Sequence, residues 1–164
     1  MAKQFDGTDF FKMMAVNEQA TAAMYRQFAA NVKLGAQFFE NLAKDEERHY
    51  AIYTALLKKY ADSKGLTVEV SDDQAEYLEL LVKNNAVTEA DSLAKKAATF
   101  TDKDELYGLA EQGERDAVLF VQELIALYPM LQPEDFKLVL QEEKNHLRQV
   151  MSRRMESKLS TLRL

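Results

Sequence analysis

The chain contains no cysteine. That excludes disulfides, thiolate zinc sites, iron–sulfur clusters and cysteine nucleophiles. Only 2 prolines and 5 glycines punctuate its 164 residues. This is too few for the turns of an all-β fold and favours long helices. No apolar h-region follows Met1-Ala2-Lys3-Gln4-Phe5-Asp6, so no secretory signal is read. The most apolar stretch, Ala117 to Tyr128, is broken by Gln122 and Glu123, so no membrane span is expected. Basic runs are missing as well. With 27 acidic against 21 basic residues the net charge is −6, a poor balance for gripping nucleic acid or anionic lipid. The expectation is a cytoplasmic protein with no nucleic-acid and no membrane partner.

What is present is an ordinary globular mixture, 47% apolar and 29% charged, of a length suited to one domain spanning residues 1–164. Apolar residues recur at spacings of three and four, the amphipathic-helix pattern. Four long helices are predicted, at about 8–32, 36–63, 102–128 and 133–155. Lys33-Leu34-Gly35 reads as the turn between the first two, with Val32 closing the first stripe, and Gly65 as a C-cap after the second. Pro129 ends the third helix. Pro133 with Glu134 and Asp135 suits the first turn of the fourth, and the tail from Ser157 is expected to fray. A connection at about 65–101 carries two short helices, one opened by Ser71-Asp72-Asp73-Gln74 as a capping box and one opened by Thr88. The fold class expected is therefore all-α: two antiparallel helical hairpins joined by one long crossover, as a ferritin-like four-helix bundle requires.

The informative residues are acids inside apolar stripes. Glu18 lies between Met14 and Tyr25, Glu46 and His49 between Leu42 and Tyr53, Glu111 and Glu114 beside Ala110 and Val118, and Glu143 and His146 between Val139 and Val150. Desolvating an isolated carboxylate costs several kcal/mol, so these acids must be protonated, paired or bound to cations. No Lys or Arg lies cleanly on the stripes, which leaves metal.

Spacing supports this reading. Glu-x-x-His sets both side chains on one helical face, and it occurs twice, as Glu46-Glu47-Arg48-His49 and Glu143-Lys144-Asn145-His146. The chain has 2 histidines, and each closes one copy. Glu18 precedes Glu46 by 28 residues and Glu114 precedes Glu143 by 29. Each half thus offers one glutamate and one Glu-x-x-His pair, a pseudo-two-fold arrangement with Glu111 as an extra acid opposite Ala15. Five buried glutamates would keep a charge of −3 around one divalent ion but −1 around two, so two ions are expected. Mixed carboxylate and imidazole ligation suits iron, with manganese or zinc as alternatives. A ligating histidine commonly donates its other ring nitrogen to a carboxylate. By the pseudo-two-fold, Asp45 is assigned to His146 and Glu142 to His49, with Arg48 neutralising that outer pair. Tyr25 reads either as a core residue or as a neighbour of the site. Clusters such as Arg153-Arg154 read as solvated surface, and Tyr53 as packing.

At these residues the chain resembles the ferritin-like di-iron carboxylate superfamily, and most closely the rubrerythrin branch, through Glu111-Gln112-Gly113-Glu114 and Tyr25 after Glu18. The resemblance covers residues 8 to 155. It implies two iron ions that reduce hydrogen peroxide to water. Glu46 and Glu143 would bridge the metals, Glu18 and Glu114 would be terminal or semi-bridging, and Glu111 and His49 would exchange as ligands during catalysis. Rubrerythrins typically append a rubredoxin domain whose iron is held by four cysteines. This chain has none, so an external electron donor is expected, together with a homodimer or higher homo-oligomer. Competing readings are a ferroxidase or iron-handling protein, other oxygen-dependent oxidation or manganese catalase chemistry, and a metal-free helical scaffold.

Overall fold

A computed structural model describes residues 2–31, 34–129, 131 and 133–162; for 133–135 and 161 it describes the backbone alone. The elements in chain order are β1 (Ala2–Asp6), α1 (Thr8–Ala30), α2 (Ala36–Tyr60), β2 (Thr67–Ser71), α3 (Asp72–Lys83), α4 (Ser92–Ala97), α5 (Lys103–Leu127) and α6 (Pro133–Thr161). The described chain is mostly helical. Helix α1 packs along α2, α5 packs along α6, and α4 lies on α1. No helix among the described residues is long and apolar enough to cross a membrane.

Helix boundaries follow local chemistry. Asp6 Oδ1 accepts from the Thr8 backbone N–H at 2.9 Å, Ser71 Oγ from that of Gln74 at 3.1 Å, and Asp102 Oδ1 from that of Asp104 at 2.6 Å. Each satisfies an otherwise orphaned first-turn donor. Gly35 precedes α2 at φ +101°, a left-handed conformation that glycine adopts without a Cβ penalty. Val32 and Lys33 of the predicted first helix and turn lie outside the described residues. So do the side chains of Pro133, Glu134 and Asp135, although α6 does begin at Pro133.

Several expectations need correction. Helix α2 stops at Tyr60, so Gly65 lies beyond it rather than capping it. The second short helix begins at Ser92, not Thr88. Helix α6 runs on to Thr161, so residues 157–161 continue the helix instead of fraying. The purely helical reading also missed a two-stranded antiparallel sheet in which Phe5 pairs with Val68 and Lys3 with Val70. Phe5 and Val70 bury one face of this ribbon, which ties the start of α1 to the chain leaving α2. At this junction Gly7 is close-packed: its N–H donates to Leu66 O at 3.0 Å, and a Cβ there would lie 1.8 Å from the Tyr128 hydroxyl.

The interior divides into two apolar clusters. One includes Phe10, Phe11, Met14, Tyr53, Phe120, Leu124 and Phe136. The other includes Met24, Tyr25, Phe28, Phe39, Leu106, Tyr107 and Val150. The buried acids and histidines occupy the helical turns between these two sets.

Candidate metal centre

Four helices contribute to one buried polar cluster: Glu18 from α1, Glu46 and His49 from α2, Glu114 from α5, and Glu143 and His146 from α6. All six are at most 2% exposed. Each sits one or two turns from apolar residues on its own stripe, so burying that stripe carries the acid inward. Their ligand atoms form two groups, each within 4.8 Å: Glu18, Glu46, His49 and Glu143, and Glu46, Glu114, Glu143 and His146. These groups could hold metal ions.

Glu46 and Glu143 belong to both groups, and their oxygens are divided between them. Glu46 Oε2 lies 3.3 Å from His49 Nδ1 and Oε1 lies 3.0 Å from His146 Nδ1. Glu143 Oε1 lies 2.7 Å from His49 Nδ1 and Oε2 lies 3.7 Å from His146 Nδ1. Glu18 Oε2 is 3.8 Å from His49 Nδ1, and Glu114 Oε2 is 3.7 Å from His146 Nδ1. Ligands about 2.1 Å from a common ion lie roughly 3.0 to 3.4 Å apart along octahedral or tetrahedral edges. The closest approaches here fall in or near that range, and the remainder are slightly longer.

Close approach is not matched by hydrogen bonding. Glu18 Oε1, Glu46 Oε1, Glu114 Oε2, both Glu143 oxygens and His146 Nδ1 are buried without a hydrogen-bond partner among the described residues. His146 Nδ1 and Glu46 Oε1, 3.0 Å apart, are near neighbours whose geometry does not align as donor and acceptor. Buried lone pairs left this way cost about 1–3 kcal/mol each. Their convergence fits cations placed between them. Four carboxylates carry −4, which two divalent ions would balance.

Electrostatics describe the cluster without metal. Burial pushes Glu18 and Glu114 well above the usual carboxylate range, and neighbouring carboxylates add to the shift, chiefly Glu143 for Glu18 and Glu46 for Glu114. Burial acts in the same direction on Glu46, but contacts with His146 and His49 outweigh it and hold that carboxyl far down. Burial would lower His146, yet contacts with Glu143 and Glu46 push it up to about 12. His49 is raised in the same way, with Glu143 the strongest partner. In the metal-free interior, protons therefore carry the positive charge that the carboxylates require.

Both imidazoles turn Nδ1 toward the cluster and Nε2 outward. His49 Nε2 lies 2.9 Å from Glu142 Oε2, and His146 Nε2 lies 3.2 Å from Asp45 Oδ2. Arg48 Nη2 joins the two acids, donating to Glu142 Oε1 at 2.9 Å and to Asp45 Oδ1 at 3.1 Å. An Nε2–H donated outward leaves the Nδ1 lone pair for a metal. The pairing of Asp45 with His146 and of Glu142 with His49 is the crosswise one expected from the sequence repeat. Tyr25, buried on α1, donates its hydroxyl to Glu114 Oε1.

Glu111 is placed apart from these six residues. One turn before Glu114, it is not brought into either group. Its side chain is 17% exposed and takes Arg115 Nη2 at 2.7 Å and Arg154 Nη1 at 3.0 Å. These two guanidiniums, Arg115 first, lower its pKa against a smaller opposing effect of burial. Arg154 also forks onto Asp104 through Nε at 2.8 Å and Nη2 at 3.0 Å, so it is not the solvated surface residue its sequence context suggested. Sequence reasoning missed this role of Arg154 because it lies 43 residues from Glu111, on α6, and reaches Glu111 and Asp104 only when α5 packs on α6. With Glu111 ion-paired, its exchange with His49 as a metal ligand has no support in this geometry. The charge balance also changes from five carboxylates to four.

No family model, no curated protein and no solved structure matches this chain.

Proposed function

We propose that the chain is a two-metal carboxylate oxidoreductase of ferritin-like architecture, holding a pair of iron ions that reduce hydrogen peroxide with electrons from a separate donor. The observation that carries this reading is the shared placement of Glu46 and Glu143. Each directs one oxygen to the His49 side and one to the His146 side, amid buried oxygens with no other partner. One glutamate from each of two helices and Glu-x-x-His from each of the other two is also the donor set of di-iron and di-manganese carboxylate bundles.

When bound, two adjacent ferrous ions supply one electron each, matching two-electron cleavage of an O–O bond to two waters with two protons taken up. The chain's own groups do the rest. Glu18 and His49 would hold one ion and Glu114 and His146 the other, with Glu46 and Glu143 spanning both. Glu142 and Asp45 fix the imidazole tautomers. Glu18 and Glu114, protonated in the metal-free interior, would give up those protons on holding an ion. The flanking apolar clusters exclude water and limit escape of reactive species. In the same reading the donor is an external reductant, and the protein acts as a homodimer or higher homo-oligomer.

A second reading, ferroxidase or iron handling, is favoured by Glu111. Its pairing with Arg115 and Arg154 leaves only the six-residue set and removes the extra acid on which the rubrerythrin likeness rested. Metal analysis with anaerobic reduction, followed by peroxide and oxygen titration, tests both. Two irons per chain reoxidised far faster by peroxide than by oxygen is the expected result. Preference for oxygen selects the ferroxidase. Purified protein that takes up no metal after iron loading overturns both.

A further inference from the structure

Outside the six-residue cluster, two buried side-chain polar atoms have no hydrogen-bond partner among the described residues: the Ser92 hydroxyl, on short helix α4, and the Tyr53 hydroxyl. Tyr53 is fully buried. It follows His49 by four residues on α2, so it shares the face that carries Glu46 and His49. A helical side chain leans toward the N-terminus of its helix and covers the preceding turn, which for Tyr53 is the turn that carries His49. The edge of Phe11, with ring centroids 6.4 Å apart at 63°, walls it on the apolar side. Burial raises the phenol's pKa, and the carboxylates of Glu18, Glu143 and Glu46 raise it further in that order. Tyr53 thus stands at the Glu18–His49 side as a neutral donor. A buried hydroxyl with nothing to bond is costly, so this one calls for a partner.

Tyr25 supplies the contrast. It is equally buried, but its hydroxyl is already committed to Glu114 at the other half of the cluster. The pseudo-two-fold therefore breaks at the tyrosines: one half has its phenol occupied and the other has it free.

We infer that the Tyr53 hydroxyl donates a hydrogen bond to a small oxygen-bearing or anionic ligand, such as peroxide or hydroxide, bound at the metal position held by Glu18 and His49. This rests on the two-metal reading above and adds to it an address. The incoming ligand binds at the Glu18–His49 half rather than the Glu114–His146 half, because among the described residues only the former offers an uncommitted tyrosine hydroxyl.

Azide serves as the probe. The parent protein and Tyr53→Phe are loaded with ferric iron, their iron content is measured, and azide is titrated by visible absorption. Tyr53→Phe is expected to take up iron as the parent does and to bind azide about tenfold more weakly, the worth of one hydrogen bond to an anion. Tyr25→Phe, which removes a hydrogen bond to Glu114 rather than a free donor, is expected to weaken azide less than Tyr53→Phe does. In metal-free protein, Tyr53→Phe should melt at or above the parent's temperature, since no protein partner is lost. Unchanged azide affinity with normal iron uptake overturns the role of Tyr53 alone. So does a metal-free Tyr53→Phe that melts lower or fails to fold, because its hydroxyl would then have a partner within the protein. A parent that binds no iron removes the metal reading, and this inference with it.

Discussion

Glu114 and Glu111 are one turn apart on α5 and illustrate two ways of placing an acid beside a core. Glu114 is 1% exposed and keeps an oxygen without a partner. Glu111 is 17% exposed and holds two guanidiniums. Helical periodicity assigned both to the same interior stripe. What separates them is pairing with guanidiniums: Arg115 on α5 itself and Arg154 on α6 reach Glu111, and neither reaches Glu114. Helix α6 offers Arg154 to Glu111, and it offers Glu143 and His146 toward Glu114. An acid whose charge the protein balances itself is structural; an acid left for something else to balance is a candidate ligand.

The largest test of this contrast is metal uptake. Glu46→Ala or Glu143→Ala should abolish binding of both ions, because each residue faces both positions, as measured by metal analysis after loading and desalting. Glu114→Gln should lower metal content, and Glu111→Gln should leave it unchanged.

Thermal unfolding gives the next effect. If metal binds the folded chain alone, free metal at a hundred times its dissociation constant stabilises by about 2.7 kcal/mol. A chelator should reverse the gain in a calorimetric scan. In chelated protein the two acids should differ in sign. Glu18→Gln or Glu114→Gln removes a buried carboxyl whose ionised form has no adequate partner, and should stabilise by roughly 1 kcal/mol or more. Glu111→Gln breaks a partly exposed pair and should destabilise by up to about 1 kcal/mol.

Proton release is the third check. His146, pushed up to about 12 without metal, must give up its Nδ1 proton to ligate an ion. Metal uptake near neutral pH should therefore release protons, and affinity should fall as pH falls. Calorimetry in buffers of different ionisation enthalpy reads the proton count.

The smallest effect concerns Asp104, held down to about 2 first by Arg154 and then by Lys158 against weak burial. Its pairing contributes stability above the ordinary carboxylate pKa, and that stability is lost as pH falls toward 2. Arg154→Met should flatten the acid limb of the stability curve, measured by denaturant unfolding between pH 5 and 2, while leaving metal content near neutrality unchanged.

Much of this was legible in the residues. The acids on apolar stripes, the doubled Glu-x-x-His and the half-to-half repeat place six side chains together and pair Asp45 and Glu142 crosswise. Local pattern suffices there because each helix carries its own inward face. Most of what was misread turns on what another element brings. The fate of Glu111 depended on Arg154 from α6. The β1–β2 ribbon rests on five-residue strands whose Phe5, Val68 and Val70 gave too short an alternation to read. Tyr53 looked like packing because its spacing matches a core position, and only its missing hydrogen-bond partner distinguishes it. The end of α2 lies three residues before the expected one and that of α6 six residues after it, as boundaries do when tertiary contact decides where a helix frays.

Each hairpin supplies only half of the six-residue set, and the 42 residues from 61 to 102 separate the halves. During folding, neither α1 with α2 nor α5 with α6 can assemble the complete cage. The loop between them must close first, at an entropic cost that grows slowly with its length. If the cluster binds ions, their capture should come late and lock the two hairpins together, and removal of metal should show itself first as loosened docking between them, with each hairpin still helical.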